Sequence, residues 1–109
     1  MIKEKDAEAA VEYIKINAKH LAKAKSDRIY LEQFRKTKKA LLMNETEGSD
    51  KTREAYAYAH PEYKEVLDGL REAVRQEESI KWKMVAAQQK IEVWRTQQAN
   101  NRSLDNAVR

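Results

Sequence analysis

The sequence has no cysteine, one proline and two glycines among 109 residues, so few positions can break a helix and no disulfide can form. Large apolar residues are also scarce: Leu, Ile, Val and Phe together number 20, while alanine alone numbers 15. This composition predicts long helices around a thin core. Thin cores in small helical proteins are often completed by a second copy of the chain.

Long apolar runs are missing as well. No segment approaches the roughly 18 residues of a membrane span, and the N-terminal sequence MIKEKDAEAA has no hydrophobic signal core. Together with the absence of cysteine, this predicts a cytoplasmic protein that does not contact membranes.

An unbroken heptad pattern occupies residues 66–98. Its members recur in steps of four and three: Val66, Leu70, Ala73, Glu77, Ile80, Met84, Ala87, Ile91, Trp94 and Gln98. Such a seam needs a facing helix to leave water. Glu77 is its charged member, and a buried carboxylate there requires a cation or a hydrogen-bond partner.

A second apolar strip on the same helix lies off the seam and consists of Trp82, Val85, Ala86 and Val93. It predicts a second neighbouring helix, either from this chain or from another subunit. The long helix, residues 61–98, would span about 57 Å, which is long for a domain of this size and favours a dimer.

The helix boundaries follow from local signals. Residues 6–44 form one helix capped by Asp6 or two helices joined at Asn17, and the break is favoured because asparagine is a poor helix former. The segment NETEGSD then reverses the chain, with Gly48 as the turn residue and Ser49 or Asp50 as the next cap. A short helix over residues 51–59 ends before Pro61, which suits the first turn of the long helix.

These signals predict an all-α fold: an elongated antiparallel helical hairpin with a short connecting helix, completed by dimerisation. Residues 1–98 form one domain in this interpretation. Residues 99–109 lose the apolar periodicity and are predicted to be a mobile tail.

Residues 15–39 are strongly basic, with nine Lys or Arg residues against Asp27 and Glu32. Basic helix faces attract phosphate backbones, so this segment is a candidate nucleic-acid surface. Its predicted phosphate contacts are Lys19, Lys23, Lys25, Arg28, Arg35, Lys36, Lys38 and Lys39. The competing interpretation is a solvated face that pairs with acids on a neighbouring helix, such as Glu72, Glu77 and Glu78.

Aromatic residues supply the candidate partner interface, which consists of Tyr58, Trp82, Trp94 and Arg95. Tyrosines of the AYAYAHPEY segment could stack on bases or anchor a protein, but closing the hairpin end over Leu41, Leu42 and Met43 is favoured. Trp82 lies off the seam and suits an interface, whereas the default role of Trp94 is in the core.

The two histidines are far apart in sequence, and no metal-ligand spacing or phosphate-binding glycine loop is present. No enzymatic activity, metal or cofactor is therefore predicted.

The stretches YLEQFRKTKKALLM and ESIKWKMVAAQQKIEVWRTQQANNR resemble small all-helical proteins from the early regions of tailed bacteriophages and prophages. Such proteins are encoded near genes for recombination or replication. The resemblance covers residues 25–43 and 61–102, has no diagnostic motif and transfers no functional residue. It implies a phage protein in the cytoplasm of a bacterial host.

Three functions remain open from the sequence. The leading expectation is a non-enzymatic accessory protein in DNA recombination or replication. The first alternative is an inhibitor that binds a host enzyme or defence complex, and the second is a structural subunit of a helical assembly.

Overall fold

The computed structural model describes residues 1–108 and contains three α-helices: α1 (Glu4–Met43), α2 (Asp50–Ala59) and α3 (Pro61–Val108). Within that range no residue is in a β-strand, so the all-α prediction is confirmed. α1 and α3 run antiparallel, because Arg28 pairs with Glu77 while Lys38, later in α1, pairs with Glu62, earlier in α3. The helical hairpin with a short connecting helix is thus confirmed, and its completion by dimerisation stays a prediction.

The chain forms two compact units. The first unit consists of Met1–Leu21 and Ser79–Arg109, and the second unit is Ala22–Glu78. Each unit contains a stretch of α1 and a stretch of α3, and the second unit also contains α2. The assignment of residues 1–98 to one domain stays a prediction.

α1 is one continuous helix, so the favoured break at Asn17 is wrong. The Asn17 side chain donates a hydrogen bond of 2.9 Å to the backbone oxygen of Tyr13 one turn earlier, which satisfies its polar group without interrupting the helix. The helix also begins before the predicted cap. Asp6 lies inside the first turn, where its Oδ2 accepts a hydrogen bond of 3.0 Å from the Lys3 backbone N–H.

Residues 44–49 reverse the chain between α1 and α2. Gly48 has a φ angle of 125°, a conformation that L side chains rarely adopt, so its predicted role as the turn residue is confirmed. Ser49 caps α2, since its hydroxyl oxygen accepts a hydrogen bond of 3.2 Å from the Thr52 N–H.

His60 separates α2 from α3. Its Nδ1 accepts a hydrogen bond of 3.1 Å from the Glu62 N–H, so the imidazole caps the start of α3. Pro61 is the first residue of α3, as predicted.

The predicted seam of α3 is confirmed, because every one of its positions in residues 66–98 is buried or half-buried. α1 has a matching stripe in steps of three and four, and its members are likewise buried or half-buried: Ala7, Ala10, Ile14, Asn17, Leu21, Ala24, Arg28, Leu31, Arg35, Lys38 and Leu42. In each unit the stripe of α1 therefore packs against the seam of α3.

One end of the second unit is closed by a cluster with one residue from each helix. Leu42, Ala57 and Tyr63 are buried together, and Met43 packs against them. Leu42 is completely buried. The prediction that a tyrosine closes the hairpin over Leu41, Leu42 and Met43 is confirmed for Tyr63 with Leu42 and Met43, and it is wrong for Leu41, which is exposed.

The second apolar strip of α3 has no covering helix in the described part of the chain. Trp82, Ala86 and Val93 are exposed, and Val85 is half-buried. A three-helix arrangement within the chain is therefore wrong for the first unit, and a helix from another subunit stays a prediction.

α3 continues to Val108, so its predicted end near Gln98 is wrong. The apolar periodicity stops after residue 98 because residues 99–108 are all exposed. The helix continues through them, since they include no glycine or proline that would end it. The mobility of residues 99–109 stays a prediction, and Arg109 lies outside the described residues.

Candidate functional surfaces

Arg28 lies on the packed stripe of α1 and binds two carboxylates. Its guanidinium donates hydrogen bonds to Glu77 on α3 and, at 2.9 Å, to Glu32 one turn further along α1. These bonds, the one to Glu77 first, raise the pKa of Arg28 above its ordinary value. Glu77 thus has the cationic partner that its seam position requires, and Arg28 is engaged within the chain.

Lys38 and Lys39 are half-buried and are held by acids on other helices. Lys38 Nζ lies 2.9 Å from a Glu62 carboxylate oxygen, and this contact lowers the pKa of Glu62. Lys39 Nζ lies 3.2 Å from Glu54 Oε1 on α2 and 4.9 Å from the centre of the Tyr58 ring. Its contact with Tyr58 first, and with Glu54 second, raises the pKa of Lys39.

Other predicted phosphate contacts in the second unit remain available. Lys25 and Lys36 are exposed and form no ion pair with any residue in 1–108. They are eleven residues apart, close to three helical turns, so they lie on one side of α1 about 16 Å apart. Arg35 is half-buried and also has no ion-pair partner within that range. Lys23 pairs at 2.7 Å with Asp27, but this exposed contact on a single helix contributes little.

The two units differ in charge. The second unit has twelve Lys or Arg residues and twelve Asp or Glu residues, whereas the first unit has ten and six. Lys19, the remaining predicted phosphate contact, is exposed in the first unit. Pairing of the basic segment with acids of neighbouring helices is confirmed for Arg28, Lys38 and Lys39. Of the acids named in the prediction Glu77 is confirmed as a partner, whereas Glu72 pairs with Arg75 on its own helix.

Two of the predicted partner-interface residues are largely exposed. The Trp82 side chain in the first unit is 60% exposed, and Lys81 Nζ lies 5.6 Å from the centre of its ring. Tyr58 in the second unit is also exposed, but one edge of its ring contacts Tyr63. Trp82 therefore offers more accessible aromatic surface than Tyr58.

Trp94 is half-buried on the seam of the first unit, in agreement with a core role. Its indole Nε1 is buried and makes no hydrogen bond within residues 1–108. Arg95, the neighbouring candidate, is exposed and pairs at 3.1 Å with Glu92 on the same helix.

A groove of about 400 Å³ lies between α1 and α3 in the first unit. Alanines make up half of its lining residues, and charged residues of both signs are also present. The lining residues are Asp6, Ala9, Ala10 and Tyr13 from α1 and Lys83, Ala86, Ala87 and Lys90 from α3. No sequence pattern predicted this groove.

Within the described chain, no three His, Cys, Asp or Glu side chains come close enough together to hold a metal ion. None of the helices over residues 1–108 contains a stretch that is both long and apolar enough to cross a bilayer.

In comparison with known proteins, no protein-family model, curated protein or solved structure matches this chain.

The engaged role of Arg28 and Lys38 could have been predicted from spacing, whereas Arg35 lies on the same stripe without an ion-pair partner in residues 1–108 and Lys39 lies off the stripe. The stripe that begins at Ala7 continues in steps of three and four through Arg28, Arg35 and Lys38. Cations at such positions bury their aliphatic stems and turn their charges toward acids on the facing helix. A count of local charge over residues 15–39 does not show this difference between cations.

Proposed function

We propose that this protein is a non-enzymatic accessory protein of phage DNA recombination or replication, and that it binds nucleic acid through the second unit. The observation that carries the proposal is the pair of exposed lysines Lys25 and Lys36, which lie on one side of α1 without an ion-pair partner in residues 1–108. The resemblance to early-region phage proteins supports the biological context.

The ion pairs limit how many phosphates this surface contacts. Arg28, Lys38 and Lys39 hold α1 to the other helices, which leaves four predicted contacts in the second unit: Lys23, Lys25, Arg35 and Lys36. Four phosphate contacts on duplex DNA weaken binding about 150-fold between 50 and 200 mM salt, whereas eight contacts weaken it by roughly 20,000-fold. The salt dependence therefore measures how many cations participate.

The test is fluorescence anisotropy with labelled single-stranded and double-stranded oligonucleotides at about 50 and 200 mM salt. Lys25→Glu combined with Lys36→Glu should abolish binding and leave the helical content unchanged. Lys51→Glu, an exposed cation on α2, is the matched control and should retain most of the affinity. No binding at low salt, or an equal loss in the control, would contradict the proposal.

The choice of lysines matters for this experiment. Glutamate at Lys38 or Lys39 would place a negative charge beside Glu62 or Glu54 and would weaken the fold itself. Loss of DNA binding in such variants would not separate a phosphate contact from a structural one.

A second candidate function, inhibition of a host enzyme or defence complex by direct binding, is favoured by the exposed ring of Trp82. Tryptophan is enriched among residues that dominate binding energy at protein interfaces. Trp82→Ala should abolish capture of a specific host protein from lysate while its melting temperature stays close to that of the wild type. Capture that is the same for both proteins would exclude Trp82 as the anchor.

A further inference from the structure

The groove of the first unit continues into exposed apolar side chains. Its floor and walls are formed by Ala9, Ala10, Ala86 and Ala87. One heptad beyond Ala9 on α1, Ile16 is 50% exposed, and one heptad beyond Ala86 on α3, Val93 is 43% exposed. The two helices thus present apolar surface to solvent on the side of the groove.

Both helices carry a second heptad stripe in this unit, beside the stripe that packs α1 against α3. In steps of three and four, it consists of Asp6, Ala9, Tyr13 and Ile16 on α1 and of Lys83, Ala86, Lys90 and Val93 on α3. A helix with two such stripes has two helix neighbours in a bundle. Within residues 1–108 each of these stretches has one neighbour, the other helix of the hairpin.

We propose that a second copy of this chain covers the groove, so that two helices from each copy form a four-helix bundle. The charges at the rim favour a second copy as the partner. α1 contributes an acid, Asp6, and α3 contributes two cations, Lys83 and Lys90, at the same groove. A second copy supplies the complementary arrangement, with cations for Asp6 and an acid for the two lysines.

The same charges fix the orientation of the two copies. A two-fold axis parallel to the helices places α1 of one copy on α3 of the other, and Asp6 then faces the cations of the partner copy. A two-fold axis perpendicular to the helices places each helix against its own copy, which brings Lys83 and Lys90 near like charges. The parallel axis is therefore favoured.

The area of this face suits a modest dimer affinity. Two stretches of about 18 residues, each about 27 Å long and 10 Å wide, present roughly 500 Å² per copy in projection, near the lower end for specific interfaces. The alanines partly offset this small interface area, because small side chains let helix axes approach to about 8 Å. The dimer is accordingly expected to dissociate on dilution.

The experiment is sedimentation equilibrium of the full chain over a wide concentration range. The wild type should pass from monomer to dimer, and Ile16→Asp should raise the dissociation constant at least about 100-fold because the carboxylate would be buried in the interface. Val11→Asp is the matched control. Val11 is 44% exposed and lies about 140° from Ile16 around the axis of α1, so the Val11→Asp variant should still form the dimer.

Charge reversal tests the orientation. Asp6→Lys and Lys90→Glu should each weaken the dimer, and the two changes together should restore it, with circular dichroism used to check helical content. Asp6→Lys also removes the hydrogen bond to the Lys3 N–H, but the double variant lacks that bond too, so restoration reports the interface. A monomer at all concentrations, equal effects of Ile16→Asp and Val11→Asp, or no restoration in the double variant would overturn the proposal.

Discussion

The two units bury different kinds of side chain. Among the described residues, those buried in the first unit are alanines, namely Ala7, Ala10 and Ala87, whereas the second unit buries Leu42, Tyr63 and Val66 as well as alanines. The reason is the number of helices. In the second unit α2 contributes Ala57 and covers the end of the hairpin. The described part of the first unit has two helices, and the larger residues of their seam are only half-buried.

The units also use charge differently. In the second unit Arg28–Glu77, Lys38–Glu62 and Lys39–Glu54 each join two helices. In the first unit the charges at the groove stand beside apolar surface that the described chain leaves uncovered. The ion pairs and the core cluster of the second unit lie within the chain, whereas the proposed dimer would add stability to the first unit.

Truncation of the second unit's core should have the largest effect. Leu42→Ala removes the completely buried side chain of the Leu42, Ala57 and Tyr63 cluster and should lower the free energy of unfolding by about 2–5 kcal/mol. Leu41→Ala, the adjacent and exposed leucine, is the control and should cost much less. Chemical denaturation measures both, and equal losses would mean that the cluster does not organise this unit.

Breaking the half-buried Arg28–Glu77 ion pair should have the next largest effect. Glu77→Gln leaves the half-buried Arg28 with only its contact to Glu32 on the same helix and should lower the melting temperature, because the charged interhelical contact is lost. Glu65→Gln, an exposed acid on the same helix, should change it little. Replacing both Arg28 and Glu77 by leucine should recover most of the loss, and a failure to recover would indicate a role beyond pairing.

Acid should weaken the second unit through carboxylates whose pKa values are depressed. Arg75 first, and Gln76 second, lower the pKa of Glu72 to about 2 from an ordinary value of 4.5, and Lys38 lowers that of Glu62. Because the folded state binds the proton less tightly than the unfolded state, this stabilisation is present above pH 4.5 and is lost as the pH falls toward 2.

Melting temperatures measured across that range test the acid effect. Glu72→Gln should reduce the dependence of the melting temperature on pH, and high salt should reduce it in the wild type because the Glu72–Arg75 pair is exposed. If Glu72→Gln and wild type lose stability in parallel over this pH range, the Glu72–Arg75 contact contributes nothing measurable.

A small gain is expected at Gly69. A Cβ atom at this position would lie 3.9 Å from Leu31 Cδ1, an ordinary contact, so alanine fits. Gly69→Ala should therefore raise the free energy of unfolding by about 0.5–1 kcal/mol through helix propensity. A loss of stability would show instead that the helices need glycine for close approach.

The sequence was sufficient for the helices and their seam because local signals agree. Gly48, Ser49 and Pro61 mark the boundaries, and the stripe of α3 predicts the packed face. The two wrong predictions, a helix break at Asn17 and an end of α3 near Gln98, concern interactions that composition does not show. The side chain of Asn17 is satisfied by its own helix, and α3 continues past Gln98 because polar residues can remain helical without being buried.

The candidate nucleic-acid surface was less predictable from the sequence, because it too depends on interactions that composition does not show. Local charge does not distinguish an exposed cation such as Lys36 from one engaged with a distant acid, such as Arg28. That distinction depends on which residues of α1 and α3 face each other, and Arg28 and Glu77 are 49 positions apart. The groove was unpredictable for a similar reason, because it forms where alanines of α1 lie beside alanines of α3.

Hydrogen exchange of the full chain at low and high protein concentration tests the difference between the units most directly. We expect slow exchange in the helical residues of 22–78 at both concentrations, while residues 4–21 and 79–97 become more protected as the protein concentration rises. Equal protection of both units at low concentration, or protection that does not change with concentration, would contradict this expectation.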